Sequence, residues 1–359
     1  MRRVPIHALK PGQKVGHQVF NGSGQMLLNS GVILTEKYIG KLYRLGITAL
    51  YIDDGLLPDI EINDIISEKT RVDTIKHVKD IMGKQNESKS KSGASIIASQ
   101  ETVSLVYDII DQLLNNNNLI MNLLDIRTLD DYTFAHSVNV CVLSVLTGIS
   151  MGMVRSQLFH LAIGGLFHDI GKMLVPLPIL NKPGKLTSEE FEEIKQHPDT
   201  GFNILRNDPN ISRYSALIAH QHHERYNGEG YPKGLVGDEI HIFSSIVGMV
   251  DMYDALTADR VYRKAFPPHE AYEMILGAGN HLFKHEIINH FLKNVAAYPV
   301  GTIVQLSTGE IAIVIETKPG YALYPKVRIL FTPDQRPVTK LVEISLLDNS
   351  HITIVPKKR

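Results

Sequence analysis

The chain has 359 residues, 43% apolar and 21% charged, which sets an expectation of two or three soluble globular domains and excludes disordered and fibrous classes. A formal net charge of −1 argues against the strongly basic face that holds polymeric nucleic acid, so an anionic ligand must be gripped by local cations. The single cysteine, Cys141, excludes an intramolecular disulfide framework and lies in the apolar run from Val138 to Leu146, where a buried core thiol in a reducing compartment is expected.

The opening "MRRVPIHALKPG" carries two arginines, but Pro5 and Lys10 interrupt any apolar run, so it does not read as a signal peptide. No stretch approaches the roughly 18 to 20 uninterrupted apolar residues of a membrane span, which makes the cytoplasm the expected location. Residues 1–60 read as a small α+β module. "NGSGQ" at 21–25 is a turn between two apolar pieces, Thr35 caps a short helix carrying Ile39 and Leu42, and "ITALYI" at 47–52 alternates like a strand. Residues 61–95 read as a helix and linker, because "GKQNESKSKSGAS" at 83–95 is almost free of apolar side chains.

Residues 96–297 read as helical. Val103, Val106, Ile110 and Leu113 give an amphipathic helix ended by the asparagines at 115–118. In "LTSEEFEEIKQH", Thr187 and Glu190 form a capping box, Phe191, Ile194 and Leu205 supply one apolar side, and Pro198 places His197 at a helix break. Residues 298–359 change to alternating apolar and polar positions with "STGE" and "KPGY" turns, the pattern of a small antiparallel β module, and "PKKR" closes the chain as a solvated tail.

Twelve of the sixteen histidines lie between 136 and 290. Among them run His136, then His168 and Asp169 with Lys172 in "HDIGK", then His197, then His222 and His223, followed by Asp251. Five imidazoles and two carboxylates from separate helices are the makings of a metal site in a bundle core. Mixed nitrogen and oxygen ligands suit iron, manganese or zinc, whereas magnesium and calcium prefer oxygen alone. Seven ligands exceed the needs of one tetrahedral ion and suit two ions that share a carboxylate, for which Asp169 is the natural bridge. His160, His220, His241, His269, His281, His285 and His290 match no part of this order and read as structural or surface residues.

The segments "YTFAHSVNV", "LFHDIGK", "HHERYNGEGYP" and "DMYDALTADRVYRKA" resemble the HD-GYP family of HD-type metal-dependent phosphohydrolases over residues 120 to 295. The resemblance implies a mainly α fold: a helical HD-type bundle with a dinuclear metal centre, flanked by the N-terminal α+β and C-terminal β modules. It implies His136, His168, Asp169 and Asp251 as ligands of one metal, and Asp169, His197, His222 and His223 as ligands of the other. Trinuclear members carry a glutamate four residues before the first histidine. Tyr132 stands there, so two ions are expected, iron or alternatively manganese.

The implied activity is hydrolysis of cyclic di-GMP to pGpG or GMP by a metal-bridged hydroxide. Asp169 and Lys172 are the implied catalytic residues, with Lys172 on the scissile phosphate, and Tyr231, Arg260 and Arg263 are implied substrate contacts. Gly230, Tyr231 and Pro232 would shape a loop able to approach a nucleotide closely, and Asn227, where many relatives have aspartate, should keep its turn. Alternatives are a catalytically weak cyclic dinucleotide receptor, a phosphodiesterase for cyclic GMP-AMP, and an HD phosphohydrolase acting on mononucleotides. The expected partner is cyclic di-GMP, and a homodimer is the candidate assembly.

Overall fold

The computed structural model describes residues 1–21, 25–45, 47, 49–60, 65–87, 97–116, 132–182, 184–258 and 265–355. Near the N-terminus, β1 (Arg2–Pro5) is followed by the short pair β2 (Val19–Phe20) and β3 (Met26–Leu28), then α1 (Glu36–Arg44) and β4 (Ala49–Ile52). β1 and β4 pair antiparallel with Arg2 opposite Ile52, and β2 pairs antiparallel with β3. Thr35 caps α1 by accepting the Tyr38 amide at 3.2 Å. Val4, Val15, Leu34, Leu42 and Ile52 bury the apolar sides of these elements in one small core.

A helical bundle follows, in the order α2 (Glu68–Glu87), α3 (Gln100–Asn115), α4 (Tyr132–Ser150), α5 (Arg155–Leu166), α6 (Leu177–Leu180), α7 (Ser188–Ile194), α8 (His197–Arg206), α9 (Arg213–Gln221), α10 (Ile242–Thr257), α11 (Pro268–Gly277) and α12 (His285–Leu292). Within the stretch read as helix and linker, α2 reaches Glu87 and packs into the bundle core through Ile75, Val78, Ile81 and Met82. Residues 88–96 lie outside the described set.

α4 and α10 are apolar on nearly every side because both are central, and a helix surrounded by protein has no polar face to keep. By length and composition α4 could cross a membrane, but 78% of that window is buried inside the bundle and it carries His136. Cys141 sits on α4, fully buried, where burial pushes its thiol up to about 12.

The Thr187 capping box is present, with the Glu190 carboxylate accepting the Thr187 amide at 2.7 Å and the Thr187 hydroxyl accepting the Glu190 amide at 3.3 Å. α7 ends at Ile194 and α8 begins at His197, with Pro198 in its first turn. The break also separates the expected apolar side: Leu205 is fully buried, whereas Phe191 on the other helix stays 44% exposed.

At the C-terminal end β5 (Ile303–Leu306), β6 (Ile311–Glu316), β7 (Lys326–Phe331), β8 (Glu343–Ser345) and β9 (Ile354–Val355) form an antiparallel sheet in the order β8-β7-β6-β5-β9. The two flanking modules touch each other. Arg328 donates to both oxygens of Asp59 at 2.8 and 2.6 Å, and Leu57 packs on Ile313 and Ile315 of β6. The terminal "PKKR" lies outside the described residues.

Candidate metal centre

Five elements of the bundle converge on one point. His136 comes from the second turn of α4, and His168 and Asp169 follow the end of α5 and lead into a tight turn, Ile170–Leu174, that carries Lys172. His197 opens α8, His222 and His223 close α9, and Asp251 lies in the middle of α10. Helix ends supply most of these groups because a terminus lets the side chain leave the helix axis while nearby carbonyls remain free to orient it.

That orientation is explicit in the hydrogen bonds. His168 Nδ1 faces the Gly165 carbonyl at 2.8 Å, His197 Nδ1 the Ile194 carbonyl at 2.6 Å, and His222 Nδ1 the Ala219 carbonyl at 3.0 Å. His136 Nδ1 faces a carboxylate instead, Asp254 Oδ2 at 2.7 Å. Each Nδ1 meets an acceptor and so carries a proton, which turns each Nε2 inward as the atom a metal would take.

The Nε2 atoms fall into two sets around Asp169. His197 and His222 Nε2 lie 3.4 and 3.5 Å from Asp169 Oδ1, while His168 and His136 Nε2 lie 3.5 and 3.9 Å from Oδ2. Asp251 Oδ1 lies 3.2 Å from His136 Nε2. Ligand atoms of Asp169, His197, His222 and His223 all lie within 4.8 Å of one another, as do those of His136, His168 and Asp251.

The arrangement fits metal ions by its chemistry. His197 and His222 spend their Nδ1 protons on carbonyls, so two lone pairs face each other with the Nε2 atoms 3.3 Å apart. His168 Nε2 and Asp169 Oδ1 are buried without a hydrogen-bond partner. Buried acceptors with no donor between them are costly, and a divalent cation in each set satisfies them all.

The electrostatics agree. Burial works against the Asp169 carboxylate, but Lys172 and the surrounding histidines outweigh it and hold its pKa well below the usual range. Asp251 is likewise held low against burial, chiefly by His136. Burial lowers His168 to about 4 and also lowers His197 and His223, so these rings stay neutral, as ligands must. His136 differs: burial opposes its charge, but Asp251 and Asp254 raise it to about 9.

Lys172 Nζ lies 2.5 Å from Asp169 Oδ2 and is one-quarter exposed, at the rim of the centre. The Tyr231 ring stacks on His223 with centroids 4.6 Å apart, which places it beside the same set. Burial raises its hydroxyl pKa, keeping it protonated. Arg260 and Arg263 lie outside the described residues, as does the Tyr132 side chain. Of the histidines left out of the pattern, His220 pairs with Asp199 at 3.0 Å, His290 with Ser150 at 3.0 Å, and His269 stacks on Tyr298.

The loop after His223 is held by a residue that sequence inspection passed over. Glu224 is buried, and its two oxygens accept the amides of Lys233 at 2.7 Å and Leu235 at 3.0 Å. Gly230 makes its close approach to the protein's own backbone: a Cβ there would fall 2.4 Å from Glu224 Cα. Asn227 keeps its turn by accepting the Glu229 amide at 3.0 Å. Asp254, the partner of His136, was also passed over. Its place three residues after Asp251 on one helix is the signal that could have found it.

A family model for the HD domain matches residues 130–286, the span that contains every ligand candidate. A second model, a KOW domain associated with the HD domain, matches residues 303–357, which hold the C-terminal sheet. A cyclic di-GMP phosphodiesterase of Pseudomonas aeruginosa is 36% identical over 228 residues, 64% of this chain and 55% of that protein. One from Thermotoga maritima is 41% identical over 165 residues, 46% of this chain and 45% of that protein. The chain thus matches about half the length of these curated relatives. Among solved structures, an HDG"Y"P protein from Bdellovibrio bacteriovorus aligns with a TM-score of 0.50 at 16% identity, covering 81% of this chain and 97% of that one, which supports the HD-type fold.

Proposed function

We propose that this protein is a metal-dependent phosphodiesterase that hydrolyses cyclic di-GMP to pGpG, GMP or both. The observation that carries the proposal is the split carboxylate of Asp169, with Oδ1 toward His197 and His222 and Oδ2 toward His136 and His168. Asp169, His197, His222 and His223 would hold one ion, and His136, His168, Asp251 and Asp169 the other, with iron as the first candidate and manganese the second. When bound, two such ions supply Lewis acidity, which makes water nucleophilic near neutral pH and neutralises charge on phosphoryl oxygens.

The chain's own groups complete the chemistry. Lys172 brings the one ammonium within reach of the Asp169 carboxylate among the described residues, in position to stabilise negative charge developing on the scissile phosphate. Tyr231 offers a protonated hydroxyl and a ring face at the site's edge, suited to orienting a nucleobase or ribose. Arg260 and Arg263 are assigned to the remaining phosphate by sequence alone. Catalysis would lie in residues 96–297, with 61–95 leading into it from the flanking module 1–60 and the flanking module 298–359 following it, and the protein would act in the cytoplasm. A second copy of the chain is the candidate protein partner.

The test is an anaerobic assay of the full chain loaded with ferrous iron or manganese, with cyclic di-GMP and 3'3'-cyclic GMP-AMP as parallel substrates. Faster turnover of cyclic di-GMP supports the proposal. Preference for the hybrid nucleotide reassigns the substrate, and binding without turnover under either metal makes the protein a receptor.

A further inference from the structure

The HD segment begins at residue 130, yet the hydrogen bonds that orient His136 continue into α2, which precedes it. His136 and Asn139 lie three residues apart on α4, and Asp251 and Asp254 lie three apart on α10. Each pair therefore presents one residue to the metal centre and one to a layer beneath it. In that lower layer, the fully buried Asp254 takes His136 Nδ1 at 2.7 Å on Oδ2 and the Asn139 side-chain amide at 3.3 Å on Oδ1. Asn139 Oδ1 in turn accepts from the Arg71 guanidinium of α2 at 3.1 Å.

We propose that Arg71 is a positioning residue for the metal centre, acting through Asn139 and Asp254 on His136; the proposal rests on the metal assignment above. An amide suits the middle of this chain because it must donate to a carboxylate on one side and accept from a guanidinium on the other. Arg71 has only donors, so it fixes which way the Asn139 amide points, and Asn139 thereby holds Asp254 with its second oxygen on His136. The chain ends on a permanent positive charge that balances a carboxylate deep in the bundle, where low polarity makes each bond strengthen the next. Loss of Arg71 frees the Asn139 amide to turn over, loosens Asp254, and lets the His136 ring rotate away from its ligand geometry. α2 is thus part of the centre although it lies outside the domain that supplies the ligands.

The experiment measures manganese dissociation from the full-length chain by anaerobic competition with a chelator, for wild type, Arg71→Met and Arg71→Lys. Second-layer partners of metal ligands are worth about 10- to 100-fold in affinity, and Arg71 sits two bonds further out, so Arg71→Met should weaken one of the two ions about 3- to 10-fold. The other ion should be unchanged, and Arg71→Lys, which keeps one donor, should recover most of the loss. A dissociation constant within twofold of wild type for both ions overturns the proposal. So does an equal loss at both ions that follows a fall in melting temperature, which is what a purely structural role produces. A wild-type chain that binds neither manganese nor ferrous iron removes the metal assignment and this proposal together, whereas two bound ions with an unaffected Arg71→Met removes this proposal alone.

Discussion

Lys172 Nζ lies 2.5 Å from Asp169 Oδ2, the oxygen turned toward His136 and His168. Without ions, this ammonium is the main charge holding Asp169 ionised against its burial. Ions held by the two histidine sets would take over that charge, which would leave Nζ to face the proposed substrate. Lys172→Met should therefore keep its metal content while turnover falls about 100-fold, the usual cost of losing one charge-stabilising donor. Metal analysis beside steady-state kinetics checks this, and parallel loss of both ions would make Lys172 a structural counter-ion instead.

Asp251 and Asp254 push His136 up to about 9 against its burial. Its Nε2 must lose a proton to bind metal, so between pH 6.5 and 9 binding at that set should release about one proton and tighten about tenfold per pH unit. The linkage also runs the other way. A folded pKa above the unfolded value stabilises the metal-free protein below pH 6.5, and that contribution fades as pH rises through about 9. Calorimetry of manganese binding in buffers of different ionisation enthalpy reads the proton directly, and no buffer dependence at pH 7.5 would contradict it.

Glu224 closes the loop that carries Gly230, Tyr231 and Pro232 by accepting two amides. Glu224→Gln turns a donor toward one of those amides, so stability should fall by about 1.5 to 3 kcal/mol. The Michaelis constant should rise because Tyr231 loses its support. Denaturant unfolding and kinetics together check this, and wild-type values in both would show that the loop does not depend on the carboxylate.

Gly248 lets α10 meet the end of α9: a Cβ there would fall 2.2 Å from the His222 carbonyl. Gly248→Ala forces the helices apart and separates His222 from Asp251. A cost of about 3 kcal/mol is expected, the upper range for overpacking, with weakened binding of both ions. Unfolding of the metal-free protein at wild-type denaturant concentration would contradict the close approach.

Much of this was legible in the chain because its signals are local. Thr187 and Glu190 announce a helix start, Pro198 announces the break at His197, and the alternation after residue 300 announces strands. The candidate ligands show in the chain as an order of histidines and aspartates with a family likeness, although their spacing alone says nothing of which Nε2 meets which oxygen. Asp254 and Glu224 were missed because their partners lie 118 residues away and in a loop whose path no pattern sets. The contact of Asp59 with Arg328 spans 269 residues and joins modules that read as independent.

The most direct measurement is the metal content of the anaerobically purified full-length chain beside that of Asp169→Ala. Two histidine sets sharing one carboxylate predict about two ions per chain for wild type, and at most about one, with no hydrolysis, when the shared carboxylate is removed. A reproducible value near three would contradict the expectation drawn from Tyr132, and undiminished metal content in Asp169→Ala would contradict the bridge itself.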